Sequence, residues 1–498
     1  MPVRICVAIR ESTTEGAIAA LSRASAWADL VEIRADYIQD LDLGRLLREK
    51  PCPVLFTLRS REQGGNYGGT ERSRLETILE AARAGADYVD VEYSAFWRAI
   101  LESVSRQRVI LSYHNFEETP ASLESLMESM ATTGAGILKI ATRARRLSDN
   151  LKIARALRYA TTRQWNLCVH AMGSEGIPSR IFGSYWGSCM TFASLPGSEG
   201  TAEGQVSADE MVDRYRVREI GPETQLYGVL GRPLAHSLSP LIHNVAFAAR
   251  SLNALYLPLE AADIDDFLEF HASYPVQGVS VTIPYKEAAC TLAQSLSVEA
   301  NETGAVNTLV RQKAGWHGEN TDVDGFMRPL RRHLHVGRMR VAVLGAGGAA
   351  RSVVQGLRAQ GAPVCIVARD AAKAKLLADQ FRAEHARWDQ LQHLRWDLLV
   401  NATPLGMYPE VERSPIPPEW LTGEWVYDLV YNPRETQLLK DAVLQGCKTI
   451  SGVEMFLGQA VKQQQLWCGN PVPEQAMRDA LDAWMIRAAP GAQVRSSE

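Results

Sequence analysis

Through its first 206 residues the chain alternates short apolar runs with longer stretches whose apolar residues recur at helical spacing. The runs are RICVAI (4–9), LVEIRA (30–35), VLFTLR (54–59), YVDVEY (88–93), RVILSY (108–113), GILKIAT (136–142), NLCVHAM (166–172) and SCMTFAS (188–194). Amphipathic segments such as ERSRLETILEAARAGA and NLKIARALRYATT lie between most of them. This βα alternation predicts parallel strands joined by crossover helices, and eight units in roughly 200 residues fit a (β/α)8 barrel at the small end of its size range. On the pattern alone, a doubly wound open sheet is the alternative. SADEMVDRYRVREI (207–220) predicts a closing helix, and GPETQ (221–225) a linker.

A barrel of this kind carries its chemistry at the C-terminal ends of its strands, and the ionisable residues of these runs fall there. Glu32 and Arg34 lie in the second run, Arg59 ends the third, Glu92 is near the end of the fourth, and His114 follows the fifth. Lys139 sits in the sixth, and Arg180 in the loop after the seventh. A charged, unpaired lysine inside a buried strand is costly, so Lys139 is either on an exposed edge or a neutral amine. An amine kept neutral by burial and neighbouring cations is a nucleophile that forms a Schiff base with a ketone. His114 can then move the protons, its tautomer and pKa set by Glu92. Arg180, with Arg59 or Arg34, suits a carboxylate. The set predicts proton abstraction beside a ketone followed by elimination or C–C cleavage. A dehydratase and an aldolase both remain open.

The second half has another pattern. LYGVLGRPLAHSLSPLIHNVAF runs from an apolar strand through a turn into a helix, where Ser237 and Ser239 are either cap residues or, with free backbone N–H groups, an anion site. Lys286 in VSVTIPYKEAA reads as a solvated side chain or as part of the polar clusters GAVNTLV (Asn307) and GENTDVDGF (Asp322). RVAVLGAGGAARSVVQGL places Gly345, Gly347 and Ala350 as G-x-G-x-x-A between a strand and a helix, the context a dinucleotide pyrophosphate requires. The next strand, APVCIVARD, ends in Arg369 where an acid would read a ribose hydroxyl. A guanidinium there favours the 2′-phosphate of NADP, with Asp370 next door as the opposing sign.

Composition narrows the picture. With 46% hydrophobic and 22% charged residues the chain is an ordinary globular protein, and its net charge of −4 offers no basic surface for nucleic acid. The start, MPVRICVAIR, lacks the pattern of a signal peptide, and no run of 18 apolar residues predicts a membrane span. Eight cysteines without a CxxC pair predict reduced thiols in a cytoplasmic protein, and ten histidines without HExxH spacing predict no metal.

VEIRAD, TLRSREQGG, DVE, LSYHNFEETP, LKIAT, SRIFG and EGQ occur in the order found in type I 3-dehydroquinate dehydratases, and the first half resembles that family over nearly its whole length. The resemblance implies Lys139 as the Schiff-base lysine, His114 as general acid/base and Glu92 as its partner. Glu32, Arg34, Arg59, Arg180 and Gln205 would bind the carboxylate and hydroxyls of 3-dehydroquinate. Gln63 stands where many members have Glu, and Asn115 where many have Asp; both departures are read as matters of loop packing.

From about residue 226 to 485, SLSPLIHN, VTIPYK, GAVNT, NTDVDGF, GAGGAA, NATPLGM, YDLVYNP and GVEMFLGQA resemble shikimate dehydrogenases. That resemblance implies Lys286 and Asp322 as the catalytic pair. Ser237, Ser239, Thr282, Asn307 and Gln459 would contact 3-dehydroshikimate or shikimate, and Gly345, Gly347, Gly348, Ala349 and Arg369 would hold NADP. The expected architecture is α/β: a (β/α)8 barrel (1–220), then a two-domain dehydrogenase. The latter comprises an α/β substrate domain (226–330, completed by helices at 453–485) and a Rossmann-type dinucleotide domain (338–452). The last ten residues read as a frayed tail. The expected activity is dehydration of 3-dehydroquinate followed by reduction of the product with NADPH. One alternative is an NAD-dependent quinate/shikimate dehydrogenase in the second half; another is a non-catalytic metabolite-sensing regulator, which the four retained catalytic residues argue against.

Overall fold

The computed structural model describes residues 3–48, 50–94 and 96–488, so the expected tail at 489–498 lies outside the described residues. The chain divides into two compact units, whose first break comes just after the expected 221–225 linker and whose segments then interleave. The first unit holds residues 1–226, 230–236 and 253–275; the second holds 227–229, 237–252 and 276–498.

In the first unit, eight parallel strands hydrogen-bond in the order β7-β6-β5-β4-β3-β2-β1-β8. They are β1 (Arg4–Ile9), β2 (Leu30–Arg34), β3 (Val54–Thr57), β4 (Tyr88–Glu92), β5 (Val109–His114), β6 (Ile137–Arg143), β7 (Leu167–Met172) and β8 (Met190–Ser194). Cys189 N donates to Leu167 O at 3.0 Å, linking the starts of β7 and β8. The strands alternate with helices α1 (Thr14–Ala24), α2 (Leu43–Arg48), α3 (Glu71–Ala84), α4 (Trp97–Ser103), α5 (Glu124–Ala131), α6 (Asp149–Thr162) and α7 (Ile177–Trp186). Their ends follow local chemistry. Thr70 accepts from Ser73 N to start α3, and Gly85, at φ +111°, stops it. The barrel floor is apolar, with Cys6, Leu30, Leu55, Ile110, Ile137, Cys168, Met190 and Phe192 in one cluster.

Three sequence expectations shift and one alternative closes. The third strand stops at Thr57, so Arg59 lies beyond it; the fifth extends through His114. In place of a helix over 207–220 there is one π-helical turn at Glu210–Arg214, ended where Arg216 adopts φ +47°. Lys139 is not on an edge: β6 pairs with β5 on one side and β7 on the other.

Beyond β9 (Gln225–Gly231) and α8 (Ser239–Ala249), β10 (Ala254–Glu260) and α9 (Ile264–Ser273) group with the barrel. Tyr274 packs on Phe182 and Trp186 of α7, and a second tie is Asp266. Fully buried, its carboxylate accepts from Leu147 N and Ser148 N, each at 2.9 Å, in the turn leading into α6, and from Ala262 N at 2.9 Å. Asp266→Ala leaves these three N–H groups without their acceptor. We expect a loss of about 3 kcal/mol, the scale of charge-assisted hydrogen bonds left unmade. It would be read as a lower urea midpoint at unchanged slope. A wild-type midpoint would show that the carboxylate does not hold this turn.

The second unit contains β11 (Val276–Val281), α10 (Lys286–Leu292), β12 (Ser295–Leu296), α11 (Val298–Thr303), β13 (Thr308–Gln312), β14 (Gly315–Glu319) and α12 (Thr321–His333). Strand β13 runs antiparallel between β11 and β14, and β12 is parallel to β14. Next come β15 (Val341–Leu344), α13 (Gly348–Ala359), β16 (Val364–Ala368), α14 (Ala371–Phe381), β17 (Glu384–Arg387), β18 (Leu398–Asn401), β19 (Trp425–Asp428), α15 (Gln437–Leu444) and β20 (Lys448–Ile450). These six strands form a parallel sheet in the order β17-β16-β15-β18-β19-β20, the doubly wound dinucleotide-binding topology. Helices α16 (Gly452–Cys468) and α17 (Glu474–Ala488) follow. Val453, Leu457, Ala460, Met477 and Leu481 pack with Ile242 and Ala246 of α8. Glycines let α16 cross α12 closely: a Cβ on Gly325 would lie 2.7 Å from Gln459 N.

The architecture is therefore α/β, a (β/α)8 barrel followed by a dehydrogenase-like half with a Rossmann-type sheet. Among the described residues, no helix is long and apolar enough to cross a membrane, and no group of three or more His, Cys, Asp or Glu is arranged to hold a metal ion. All eight cysteines are free thiols.

Candidate active sites

Side chains alternate along a strand, so each barrel strand sends every second residue inward. The ladders pair Ser112 with Lys139 and Lys139 with Cys168, and, two residues closer to the mouth, His114 with Ala141 and Ala141 with His170. Lys139 thus lies one layer below two imidazoles, with only a methyl group between them on its own strand. The cavity above it encloses about 520 Å³ including its open mouth. Glu32, Arg34, Arg59, Gln63, His114, Lys139, His170, Arg180 and Gln205 all line it. Of the residues expected at this site, Glu92 alone is absent from the lining.

Lys139 Nζ is 3.4 Å from Glu32 Oε1 and 3.7 Å from Asp90 Oδ2, with the Phe192 ring centroid at 3.8 Å. Its nearest charges are carboxylates, not the cations that the sequence reading placed around it. Asp90, absent from the residues expected at this site, shares a strand face with Glu92. Its carboxylate faces burial, which pushes its pKa up, but Arg59, Lys139 and the hydrogen bond from Ser112 outweigh this and hold it low. Arg59 Nη2 lies 2.9 Å from Asp90, and Arg34 makes a two-pronged pair with Asp36 at 2.9 and 2.8 Å.

His114 does not meet Glu92. That carboxylate accepts from Ser60 N and Ser60 Oγ, at 3.0 and 2.9 Å, and faces Arg59 and Arg74. The partner of His114 Nδ1 is Gln63 Oε1, at 3.2 Å. With that amide oxygen as acceptor, Nδ1 carries the hydrogen and Nε2 the lone pair. Burial, together with Arg59, Lys139 and Arg34, pushes the His114 pKa well below its usual value, so the ring is a neutral base at pH 7.

Arg180 is the strongest sign of an anionic ligand. It is 1% exposed, its Nε has no partner, and no carboxylate pairs with it among the described residues. Burial lowers its pKa to about 10, still charged at neutral pH. A buried guanidinium without a counterion is costly, and a bound carboxylate would relieve that cost. Gln205 Oε1 is engaged by Thr201 N at 2.7 Å, which directs its amide NH2 elsewhere.

The second unit joins three of the expected residues. Lys286, at the start of α10, donates to Asp322 Oδ2 at 2.6 Å, and Asn307 Nδ2 donates to Asp322 Oδ1 at 2.8 Å. Asn307 is fixed in turn, its Oδ1 accepting from Thr321 N at 2.7 Å in the first turn of α12. Ser237 and Ser239 are not conventional caps: α8 has Leu238 at its N-cap and no side-chain cap bond. Ser237 Oγ is 3.4 Å from Ser239 N, Thr282 precedes α10, and Gln459 donates to Phe456 O. None of these four makes a side-chain hydrogen bond to the Lys286–Asp322–Asn307 group.

The glycine loop fits a dinucleotide. Gly345 turns at φ +109°, where a Cβ would be 3.0 Å from Ala402 O; a Cβ on Gly347 would meet nothing within 4 Å, leaving open space beside the free N–H groups that begin α13. Gly348 and Ala349 open that helix, and a Cβ on Gly348 would lie 3.9 Å from Lys286 Cδ, which puts the loop beside the lysine. Arg369 is exposed and has no ion-pair partner among the described residues. Asp370 caps α14, accepting from Lys373 N at 3.1 Å. The cap engages one of the two carboxylate oxygens and leaves the other exposed beside Lys373.

Comparison with known proteins agrees in chain order. Residues 5–222 match the type I 3-dehydroquinase family, 229–309 the shikimate dehydrogenase substrate binding domain, 330–403 shikimate / quinate 5-dehydrogenase, and 452–481 the shikimate 5′-dehydrogenase C-terminal domain. The chain is 35% identical over 505 residues to the chloroplastic bifunctional 3-dehydroquinate dehydratase/shikimate dehydrogenase of Arabidopsis thaliana, covering 95% of this chain and 83% of that protein. It is 40% identical over 278 residues to the shikimate dehydrogenase (NADP(+)) of a Nostoc species, covering 52% of this chain and 96% of that protein. The structure of quinate dehydrogenase from Corynebacterium glutamicum in complex with NAD aligns at a TM-score of 0.50 and 30% identity, over 52% of this chain and 99% of that one.

Proposed function

The chain belongs to the bifunctional 3-dehydroquinate dehydratase/shikimate dehydrogenase family, and from that premise we propose that the barrel dehydrates 3-dehydroquinate through a Schiff base on Lys139. The second half then reduces the resulting 3-dehydroshikimate with NADPH. The supporting observation in the barrel is a buried lysine beneath a neutral histidine, in a cavity that also holds a counterion-free arginine. Arg180 and Gln205 take the substrate carboxylate, Glu32, Arg34 and Arg59 its hydroxyls, and the Lys139 amine attacks its ketone. Loss of water gives an iminium that draws electrons from the neighbouring carbon; His114 Nε2 removes a proton there, the same ring returns it to the departing hydroxyl, and a water then hydrolyses the product iminium and frees Lys139. Gln63, in place of Glu92, orients His114; Glu92 instead braces Arg59.

In the second half, Lys286 gives a proton to the oxygen of the substrate ketone, and Asp322, held by Asn307, orients the ammonium. Ser237, Ser239, Thr282 and Gln459 surround the substrate ring. Gly345, Gly347, Gly348 and Ala349 cradle the cofactor pyrophosphate, and Arg369 takes the 2′-phosphate. NADPH, when bound, supplies the hydride. The proposed domains are residues 1–220, 226–330 with 453–485, and 338–452.

One cuvette containing protein, 3-dehydroquinate and NADPH tests both halves, because reduced cofactor is consumed only if dehydration comes first. A flat trace followed by reduction of added 3-dehydroshikimate would sink the barrel assignment; failure with both substrates would sink the dehydrogenase assignment. Arg369→Ala in the same assay should raise the KM for NADPH about tenfold, the scale of one charge-assisted contact, and leave that for NADH nearly unchanged. An NADPH KM that does not move would mean that Arg369 does not read the phosphate, and would favour the quinate- and NAD-linked alternative.

A further inference from the structure

The mechanism above leaves one buried imidazole in the barrel cavity unused. His170, on β7, is 5% exposed and lines the same cavity as Lys139, His114 and Arg180. It occupies the layer of His114 on the opposite side of β6, with Ala141 between them. Its ring centroid is 5.8 Å from that of Phe192, the ring that also lies under Lys139 Nζ.

The ring has a defined polarity. Cys168 Sγ donates to Met190 O at 3.2 Å, so its proton is used, and the sulfur is left to accept a weak contact from His170 Nδ1 at 3.9 Å. That places the hydrogen on Nδ1 and the lone pair on Nε2. Nε2 has no protein partner among the described residues, and it is not among the sealed, unpaired polar atoms of the chain. Burial, then Arg180, Lys139 and His114, push its pKa well down, so the ring stays neutral.

We propose that His170 Nε2 is a substrate contact, accepting a hydrogen bond from a hydroxyl of the bound ring on its Arg180 side. This rests on the reading of the barrel as the dehydratase site. The cavity wall is rich in donors and poor in free acceptors. Arg34, Arg59 and Arg180 only donate, and Glu32 Oε1 already accepts from Thr57 at 2.9 Å and faces Lys139, which leaves Glu32 Oε2 for a single hydroxyl. A polyhydroxylated substrate entering such a wall needs acceptors for its own O–H groups, and each one left unmatched weakens binding. Ala141, too small to fill the space between the imidazoles, leaves room over Lys139 for a ring that reaches both.

The test is steady-state dehydration by the full chain carrying His170→Leu or His170→Gln. The leucine fills the volume without an acceptor; the glutamine restores a carbonyl oxygen. His170→Leu should raise the KM for 3-dehydroquinate about 3- to 10-fold, the equivalent of one neutral hydrogen bond, with a smaller change in kcat. His170→Gln should return KM toward wild type, and both should reduce 3-dehydroshikimate normally. Wild-type kinetics in the leucine variant, or an equal rise in KM in both variants, would overturn the proposal, the second outcome marking the ring as packing alone. If wild-type protein does not dehydrate 3-dehydroquinate at all, the barrel reading fails first, and the two failures are distinct.

Discussion

Replacing Lys139 by alanine should cut turnover of 3-dehydroquinate by roughly 10⁴-fold or more, the scale on which loss of a covalent nucleophile acts. Reduction of 3-dehydroshikimate should be unaffected. The size of the effect follows from position. The amine has carboxylates at 3.4 and 3.7 Å, an aromatic ring beneath it and open space above. Among the described residues lining the cavity, His114 and His170 are the neutral imidazoles, and both rings are held by hydrogen bonds or packing that suit proton transfer or binding better than attack. Borohydride added during turnover should attach the substrate carbon skeleton to a peptide containing Lys139, and the alanine variant should take up no label. Dehydration by the variant at the wild-type rate would remove the Schiff base from the mechanism. Normal dehydrogenase activity in the same sample would exclude misfolding as the cause of a loss.

The strands were legible because their period is two. Glu32 and Arg34, or Ser112 and His114, point to one face whatever else the chain does, and a regular βα alternation leaves few topologies. The same rule could have found Asp90, two residues before Glu92, and His170, two after Cys168. The partner of His114 was not legible. Gln63 comes from a 3₁₀ turn at Arg61–Gln63, whose path no periodicity encodes, whereas Glu92 sits at the expected height but is captured by Ser60 and Arg74. Asp370 shows the converse: an Asp three residues before Lys373 at the start of a helical stretch is a cap by local chemistry, a nearer use for one of its oxygens than a ribose. The ties of 253–275 to the barrel include Asp266 reaching backbone groups 118 and 119 residues away and Tyr274 packing on Phe182 and Trp186, which local pattern cannot reveal.

The second large effect belongs to Lys286. Lys286→Ala should lower kcat for 3-dehydroshikimate reduction by about 10²- to 10⁴-fold, the usual contribution of a positioned proton donor, and spare dehydration. Asp322→Asn should come close to it. The carboxylate is 2.6 Å from the ammonium, and its other oxygen accepts from Asn307, so an amide in its place removes the charge and must turn its own NH2 toward one of these two donors. Near-wild-type kcat in either variant at saturating NADPH would displace the pair from the proton step. Mixing the Lys139→Ala and Lys286→Ala proteins provides an internal control. Each retains one working site, so together they should oxidise NADPH from 3-dehydroquinate although neither does alone. Recovery in the mixture would show that each substitution disables its own reaction only and that 3-dehydroshikimate passes through solvent between chains. A mixture that stays silent while both single activities persist would mean that the intermediate does not leave the chain that makes it.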